Sequence, residues 1–229
     1  MTGVSGFSRN GTGLVMAHAP RSAAAEAYRT LSTNIQFSSL DRDVRTLLVT
    51  SVSPDEGKSI VLANLAITMA EGDRRIVMVD CDLRRPSLHQ IFGLSDQPGL
   101  TTMMLNESLA PPVQATPFTN VSLVATGPLP PNPAELISSE RFTRVLASIG
   151  AGADVVLVDA PPVSAVTDAT ILATRVDGVL LVVDSGRTRR DTARRATDQL
   201  QRVGARLLGA VLTNVKPEKT QARYLGKSK

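Results

Sequence analysis

The chain has 229 residues, 42% hydrophobic and 20% charged, enough to bury the core of one domain and long enough for a second. Aromatics make up 3% and tryptophan is absent, which excludes a core built on large aromatic anchors and suits alanine-, valine- and leucine-rich parallel strands covered by helices. One cysteine, Cys81, excludes an internal disulfide and fits a reducing compartment, and the net charge of +4 is modest, so no nucleic acid is expected as a partner.

Residues 1–20, opening "MTGVSGFSRNGTG", are rich in Gly, Ser and Thr without periodicity and are expected to form a flexible arm. They lack the apolar core of a signal peptide, and no apolar run approaches the roughly 20 residues that span a bilayer. The expectation is a soluble cytoplasmic protein that reaches a membrane only through a partner. From 22 to 37, Ala24, Ala27, Leu31 and Ile35 recur at helical spacing, so a helix precedes the first strand.

Six short apolar runs follow: "TLLVTSV" (46–52), "RIVMVD" (75–80), "VSLVAT" (121–126), "DVVLVDA" (154–160), "GVLLVVD" (178–184) and "LLGAVLTNV" (207–215). Runs apolar on both faces belong to strands buried on both faces. Helical patterns separate them, clearest at 60–70, 134–149, 167–174 and 189–203. Strand alternating with helix predicts an α/β fold over residues 21–215: a doubly wound, mainly parallel sheet with helices on both faces, whose ligands sit at the carboxyl ends of the strands. Residues 83–120 are broken by Pro86, Pro98, Pro111, Pro112 and Pro117; with "GLTTMMLNESL" as a short helix they read as an insertion over one side of the sheet. Arg187, Arg189, Arg190, Arg194, Arg195, Arg202 and Arg206 crowd one segment, as a solvated helix face or a docking surface, and residues 216–229 form a basic, flexible tail.

The chemistry concentrates on "TSVSPDEGKSI", residues 50–60. A Gly-Lys-Ser triplet is weak evidence alone, and Gly226-Lys227-Ser228 repeats it with no strand before it and no helix after. At Gly57-Lys58-Ser59 a strand feeds the loop and a helix leaves it, so Ser53, Pro54, Asp55, Glu56, Gly57, Lys58, Ser59 and Ile60 can turn backbone N–H groups and a positive helix end toward a phosphate chain. Lys58 would reach the β and γ phosphates and the Ser59 hydroxyl would ligate Mg²⁺. Asp55 and Glu56 are compatible with this, because their side chains can face solvent while their amides face the anion; Asp also tolerates the positive φ that Gly adopts most easily. The strict pattern is not met, since its first glycine falls at Val52.

"IVMVDCD" places Asp80 and Asp82 at one strand's carboxyl end and "VVLVDAPP" places Asp159 at another's. Beside a phosphate loop, three such acids suit the metal's waters and the proton of an attacking hydroxyl. Strand alternation points Cys81 away from them as a buried filler. His89, Met103 and Met104 read as packing residues, and Arg84 and Arg85 either as a surface ion pair or as neutralisers of transferred phosphate.

"SPDEGKS", "VMVDCDLRRP" and "VLVDAPPV" resemble the Walker A, Walker A′ and Walker B elements of bacterial tyrosine kinases of the capsule and exopolysaccharide type, within the MinD-like P-loop NTPases. The likeness extends to "EAYRTLSTNIQF", "LPPNPAELISSERF" and "TDATILATRVDGVLLVV". It implies an ATP- and Mg²⁺-dependent protein-tyrosine kinase that regulates polysaccharide synthesis and export. Lys58 and Ser59 would hold MgATP, Asp80 and Asp82 would assist the metal or the tyrosine hydroxyl, and Asp159 would hold a metal-bound water. Ser59, Asp80 and Asp159 are thus the implied metal set. The resemblance also implies protein substrates bearing tyrosine, and a membrane-spanning polysaccharide co-polymerase as activator, which would recruit the chain to the inner face of the plasma membrane. It further implies a homo-oligomer with Glu26 and Arg29 at the interface. Asn214 is similar to an adenine-contacting position in relatives; a turn or cap role is the alternative.

The chain departs from the family at Asp55, where glycine is usual, at Ser32, where the interface pattern has a second arginine, and in its tail, which offers only Tyr224 as a phospho-acceptor; Tyr28 is the other tyrosine. Two alternatives stand beside the kinase. A MinD- or ParA-like positioning ATPase would carry an extra lysine early in the loop, where this chain has Ser51, Val52 and Ser53. A non-catalytic nucleotide-binding subunit of a co-polymerase would account for the few tyrosines.

Overall fold

The computed structural model describes residues 13–38, 43–106 and 110–215. Tyr224, the second Gly-Lys-Ser triplet and the expected basic tail lie outside the described residues. In chain order the helices are α1 (Val15–His18), α2 (Ala23–Ser38), α3 (Lys58–Ala70), α4 (Leu88–Phe92), α5 (Leu100–Leu105), α6 (Pro133–Ser138), α7 (Glu140–Gly150), α8 (Asp168–Ala173) and α9 (Arg190–Arg202). The strands are β1 (Thr46–Ser51), β2 (Ile76–Asp80), β3 (Gln114–Ala115), β4 (Val121–Val124), β5 (Val155–Asp159), β6 (Gly178–Asp184) and β7 (Leu207–Thr213). They form one seven-stranded sheet in the order β3-β4-β2-β5-β1-β6-β7, parallel throughout except for β3.

All six apolar runs are strands, and in the five inner ones successive residues feed opposite faces that are both covered. Leu47 and Val49 of β1, with Leu157 of β5, pack beneath α1 to α4. Leu48, Val156 and Val158 face the other way, among residues of α5, α7, α8 and α9. α3 is apolar all round, with Leu62, Ala63, Leu65 and Ala66 fully buried, as expected of a helix held between a sheet and another helix. Burying each such leucine contributes about 1.5–3 kcal/mol. β7 departs from the expected two-sided burial: it is the sheet's edge, and Leu212 is 58% exposed.

Four other expectations are corrected. The packed body begins before residue 21, since Leu14 and Met16 are buried and the Met16 N–H donates to Asn64 Oδ1 at 3.1 Å. α2 turns Ala25, Ser32 and Ile35 inward and leaves Ala24 and Ala27 exposed, because it lies along α3 and that contact selects the buried stripe. The helix expected over 134–149 is two, broken at Ser139, whose extended backbone ends α6 and whose side chain caps α7. The 83–120 insertion covers both sides of the sheet: Leu88 and Phe92 of α4 join one hydrophobic layer, and Leu100 and Met104 of α5 the other.

Candidate functional site

β1, β2 and β5 are neighbours, and their parallel register brings the strand-end acids to one edge. Asp80 lies directly across from Asp159, and Asp159 across from Val49 of β1. The loop leaving β1 therefore runs beside both carboxylates before α3 begins.

The loop bends through two left-handed residues, Asp55 at φ 62° and Gly57 at φ 85°. Gly57 is the N-cap of α3 and supplies no side-chain cap. Among the described residues, no acceptor takes the backbone N–H groups of Asp55, Glu56, Gly57, Lys58 or Ser59. Five open donors at the positive end of a thirteen-residue helix are the chemistry that suits an anion. Asp55 is exposed as expected, but Glu56 is not: it is 5% exposed and turns into the protein. Its Oε2 accepts the Val52 N–H at 2.9 Å, its Oε1 the Thr188 hydroxyl, and its carbonyl the Thr213 hydroxyl at 3.0 Å.

The Lys58 ammonium lies 2.9 Å from Asp82 Oδ2 and 3.1 Å from Asp159 Oδ1. The Ser59 hydroxyl donates to Asp159 Oδ2 at 2.5 Å. Burial alone would depress Lys58, but the charges of Asp159 and Asp82 outweigh it and hold the ammonium above the usual lysine range. Burial raises Asp159 despite its contacts with Lys58 and Ser59. Burial, and then the charge of Asp159, push Asp80 up to about 7.

Asp80 is the one acid of the three that does not contact Lys58. Its Oδ2 accepts the N–H groups of Ser87 and Leu88 at 2.9 and 3.0 Å, and its Oδ1 that of Asp82 at 3.2 Å. It thus organises the turn that carries Asp82. Asp82 Oδ1 accepts the Arg85 N–H at 3.0 Å, which leaves Oδ2 for Lys58. The structure therefore brings Lys58, Ser59, Asp82 and Asp159 into one cluster, with Asp80 immediately behind it.

Two carboxylates on one ammonium, with Asp80 behind them, leave an excess of negative charge suited to a divalent cation. Among the described residues no group of three His, Cys, Asp or Glu is disposed to hold a metal by itself. A cation at this site would take further ligands from phosphate oxygens, water and the Ser59 hydroxyl, the habit of Mg²⁺.

The remaining candidates fall as follows. Cys81 is buried among apolar residues on the opposite face, as expected. His89 packs with its Nδ1 3.6 Å from Asp96. Arg84 makes a two-pronged pair with Asp168, at 2.9 and 3.1 Å, which pins the loop after β2 to α8. Asn214 is in a left-handed turn, φ 55°, and its amide donates to Asp184 Oδ2 at 2.8 Å. Glu26 and Arg29 pair with each other at 3.4 Å, and Arg29 also reaches Glu71 at 3.3 Å. Ser32, where the interface pattern would place an arginine, is buried against the body of the protein.

Sequence reasoning missed Asp168, Asp184, Thr188 and Thr213. Asp184 carried a signal, since it ends β6 as Asp80 and Asp159 end theirs. The two threonines carried none, because their roles depend on where Glu56 points.

The sequence profile of the ParA family, described as NUBPL iron-transfer P-loop NTPase, matches residues 44–222. Tyrosine-protein kinase YwqD of Bacillus subtilis (strain 168) is 40% identical over 201 residues, covering 87% of this chain and 85% of that protein. The crystal structure of the chimerical protein CapA2B2 matches with a TM-score of 0.85 at 33% identity, over 89% of this chain and 90% of that one. The kinase domain of Escherichia coli tyrosine kinase ETK matches at 0.86 and 27%, over 96% and 85%. With its phosphate loop and strand-end acids in one cluster, the chain belongs to the ParA-type P-loop NTPases and, among them, to the bacterial tyrosine kinases.

Proposed function

We propose that the protein transfers the γ-phosphoryl group of MgATP to tyrosine hydroxyls, chiefly on other proteins and on Tyr224, and so regulates capsular or exopolysaccharide synthesis. The observation that carries this reading is the Lys58 ammonium between Asp82 and Asp159, with Ser59 on Asp159, at the mouth of five free backbone amides. Bound MgATP supplies the transferable group and a Lewis acid that offsets its charge. The amides of 55–59 would hold the phosphate oxygens, and Lys58 would turn from its carboxylate partners to them. With the metal bound, Ser59 would supply a hydroxyl ligand, Asp159 would hold one of its waters, and Asp82, steadied through Asp80, would accept the tyrosine proton as MgADP leaves. Asp184 orients Asn214 toward the nucleobase side.

A membrane-spanning co-polymerase of polysaccharide export is the proposed activator, holding the chain at the inner face of the plasma membrane as a homo-oligomer. None of the described helices is long and apolar enough to cross a membrane. The test is incubation with labelled ATP and Mg²⁺, with the activator and pathway enzymes present, followed by phosphotyrosine mapping. Transfer by the wild type and none by Lys58→Met is the expected result. MgATP binding with no transfer to any tyrosine would sink the kinase reading.

One observation favours a non-transferring regulatory subunit instead. Tyr28 packs against the hydrophobic layer beneath α3, which leaves Tyr224 as the single candidate self-acceptor. Pathway output preserved in Lys58→Met, with ATP binding abolished, would decide for that role.

A further inference from the structure

The acid that turns inward at the phosphate loop has three partners on three separate segments. Val52 stands at the entry of the loop, Thr188 between β6 and α9, and Thr213 at the end of β7. The Val52 N–H is shared with the Val182 carbonyl at 3.1 Å, so the same contact ties the loop to β6. Among the described residues no lysine or arginine pairs with the Glu56 carboxylate, although Lys58 is two residues away. A carboxylate pointing into a phosphate cradle would repel its ligand. Here two hydrogen-bond donors hold it on the inner side, and it is flanked by the left-handed residues Asp55 and Gly57.

We infer that Glu56 is a positioning residue: its carboxylate braces the phosphate loop against Val52 and Thr188, sets the direction of the loop amides, and couples loop shape to the segment leading into α9. The inference rests on the reading of this loop as a nucleotide phosphate site. Thr188 is its anchor, and the Thr188 N–H is itself bonded to the Asp184 carbonyl at 2.9 Å. A ligand that tightens the loop therefore tightens the start of α9.

The chemistry of the two side chains separates bracing from mere charge. In Glu56→Gln the amide oxygen can still accept from Val52, while its NH₂ donates to the Thr188 hydroxyl acting as acceptor, so the geometry survives without the charge. Glu56→Ala removes both contacts. Thr188→Val keeps the volume and removes the donor; Thr188→Ser keeps the donor.

Calorimetry with MgATP is expected to show dissociation constants raised about tenfold in Glu56→Ala and Thr188→Val, the scale of one lost hydrogen bond to a charged group, and changed by no more than about twofold in Glu56→Gln and Thr188→Ser. The double variant Glu56→Ala/Thr188→Val is expected to bind no more weakly than Glu56→Ala alone, since both break the same contact. MgATP should slow exchange of the Thr188 amide in the wild type and leave it unchanged in Glu56→Ala. A residue with only a structural role would lower Tm but leave affinity below Tm and this exchange response untouched. If Glu56→Ala fails to fold, Thr188→Val carries the test. Wild-type affinity in Thr188→Val, or additive effects in the double variant, would overturn the brace while leaving the nucleotide site standing. A wild type that binds no MgATP would overturn both.

Discussion

Asp55 and Glu56 are adjacent acids with opposite fates. Asp55 is exposed and holds a left-handed backbone at φ 62°, a conformation Asp tolerates and Gly adopts freely. Asp55→Gly relieves that strain but adds freedom to the unfolded chain, so stability should change by less than about 1 kcal/mol in either direction. MgATP should bind the variant at least as tightly as the wild type, because a nearby negative charge is gone; calorimetry and denaturant melts check both. Tyr28 gives a pH prediction. Burial pushes its hydroxyl up to about 12, with the Asn64 side chain pulling the other way. Ionisation thus opposes folding: this contribution to stability is complete below the ordinary tyrosine value near 10 and is lost as pH rises toward 12. Absorbance of tyrosinate should show one group titrating late, and Tyr28→Phe should remove that late step and flatten the alkaline loss of stability.

Elements are set by local chemistry as well as by packing. α3 begins without a side-chain cap, which leaves its first amides for a ligand; α7 begins with one. Ser139 Oγ accepts the Phe142 N–H at 3.2 Å and its hydroxyl donates to the Leu136 carbonyl at 2.7 Å, so one residue closes α6 and opens α7. Ser139→Ala should cost about 1 kcal/mol, with Phe142 still buried beneath the sheet; chemical denaturation measures it, and an effect below a few tenths would mean the break is fixed by packing alone. The same contrast explains why one helical pattern over 134–149 became two helices. Apolar periodicity continues across Ser139, but the backbone there is extended, at ψ 150°.

At the scale of the whole molecule, the site exists because strands distant in sequence lie side by side. Lys58, Asp82 and Asp159 are drawn from three segments and hold a mutually compensating charge cluster, so a ligand that binds only the folded form should stabilise all of it. MgATP at about 100 times its dissociation constant should add roughly 2.7 kcal/mol to the unfolding free energy in wild type and nothing in Lys58→Met, read as a rise in Tm. The continuous apolar runs, the phosphate loop and the strand-end acids were legible along the chain, because strand burial, loop-to-helix chemistry and strand termination are local properties with fixed spacing. These determined the α/β class and the edge of the sheet where Lys58, Ser59, Asp82 and Asp159 cluster. What the chain could not specify locally was where side chains point once elements meet. The stripe of α2 that is buried, the exposed edge at β7, the split of 83–120 over two faces, and Glu56 bonded to Thr188 all depend on contacts between segments tens of residues apart or more. Only the packed sheet decides those, since an acid's direction is set by the nearest available donors, and for Glu56 one of those donors, Thr188, comes from the distant segment between β6 and α9.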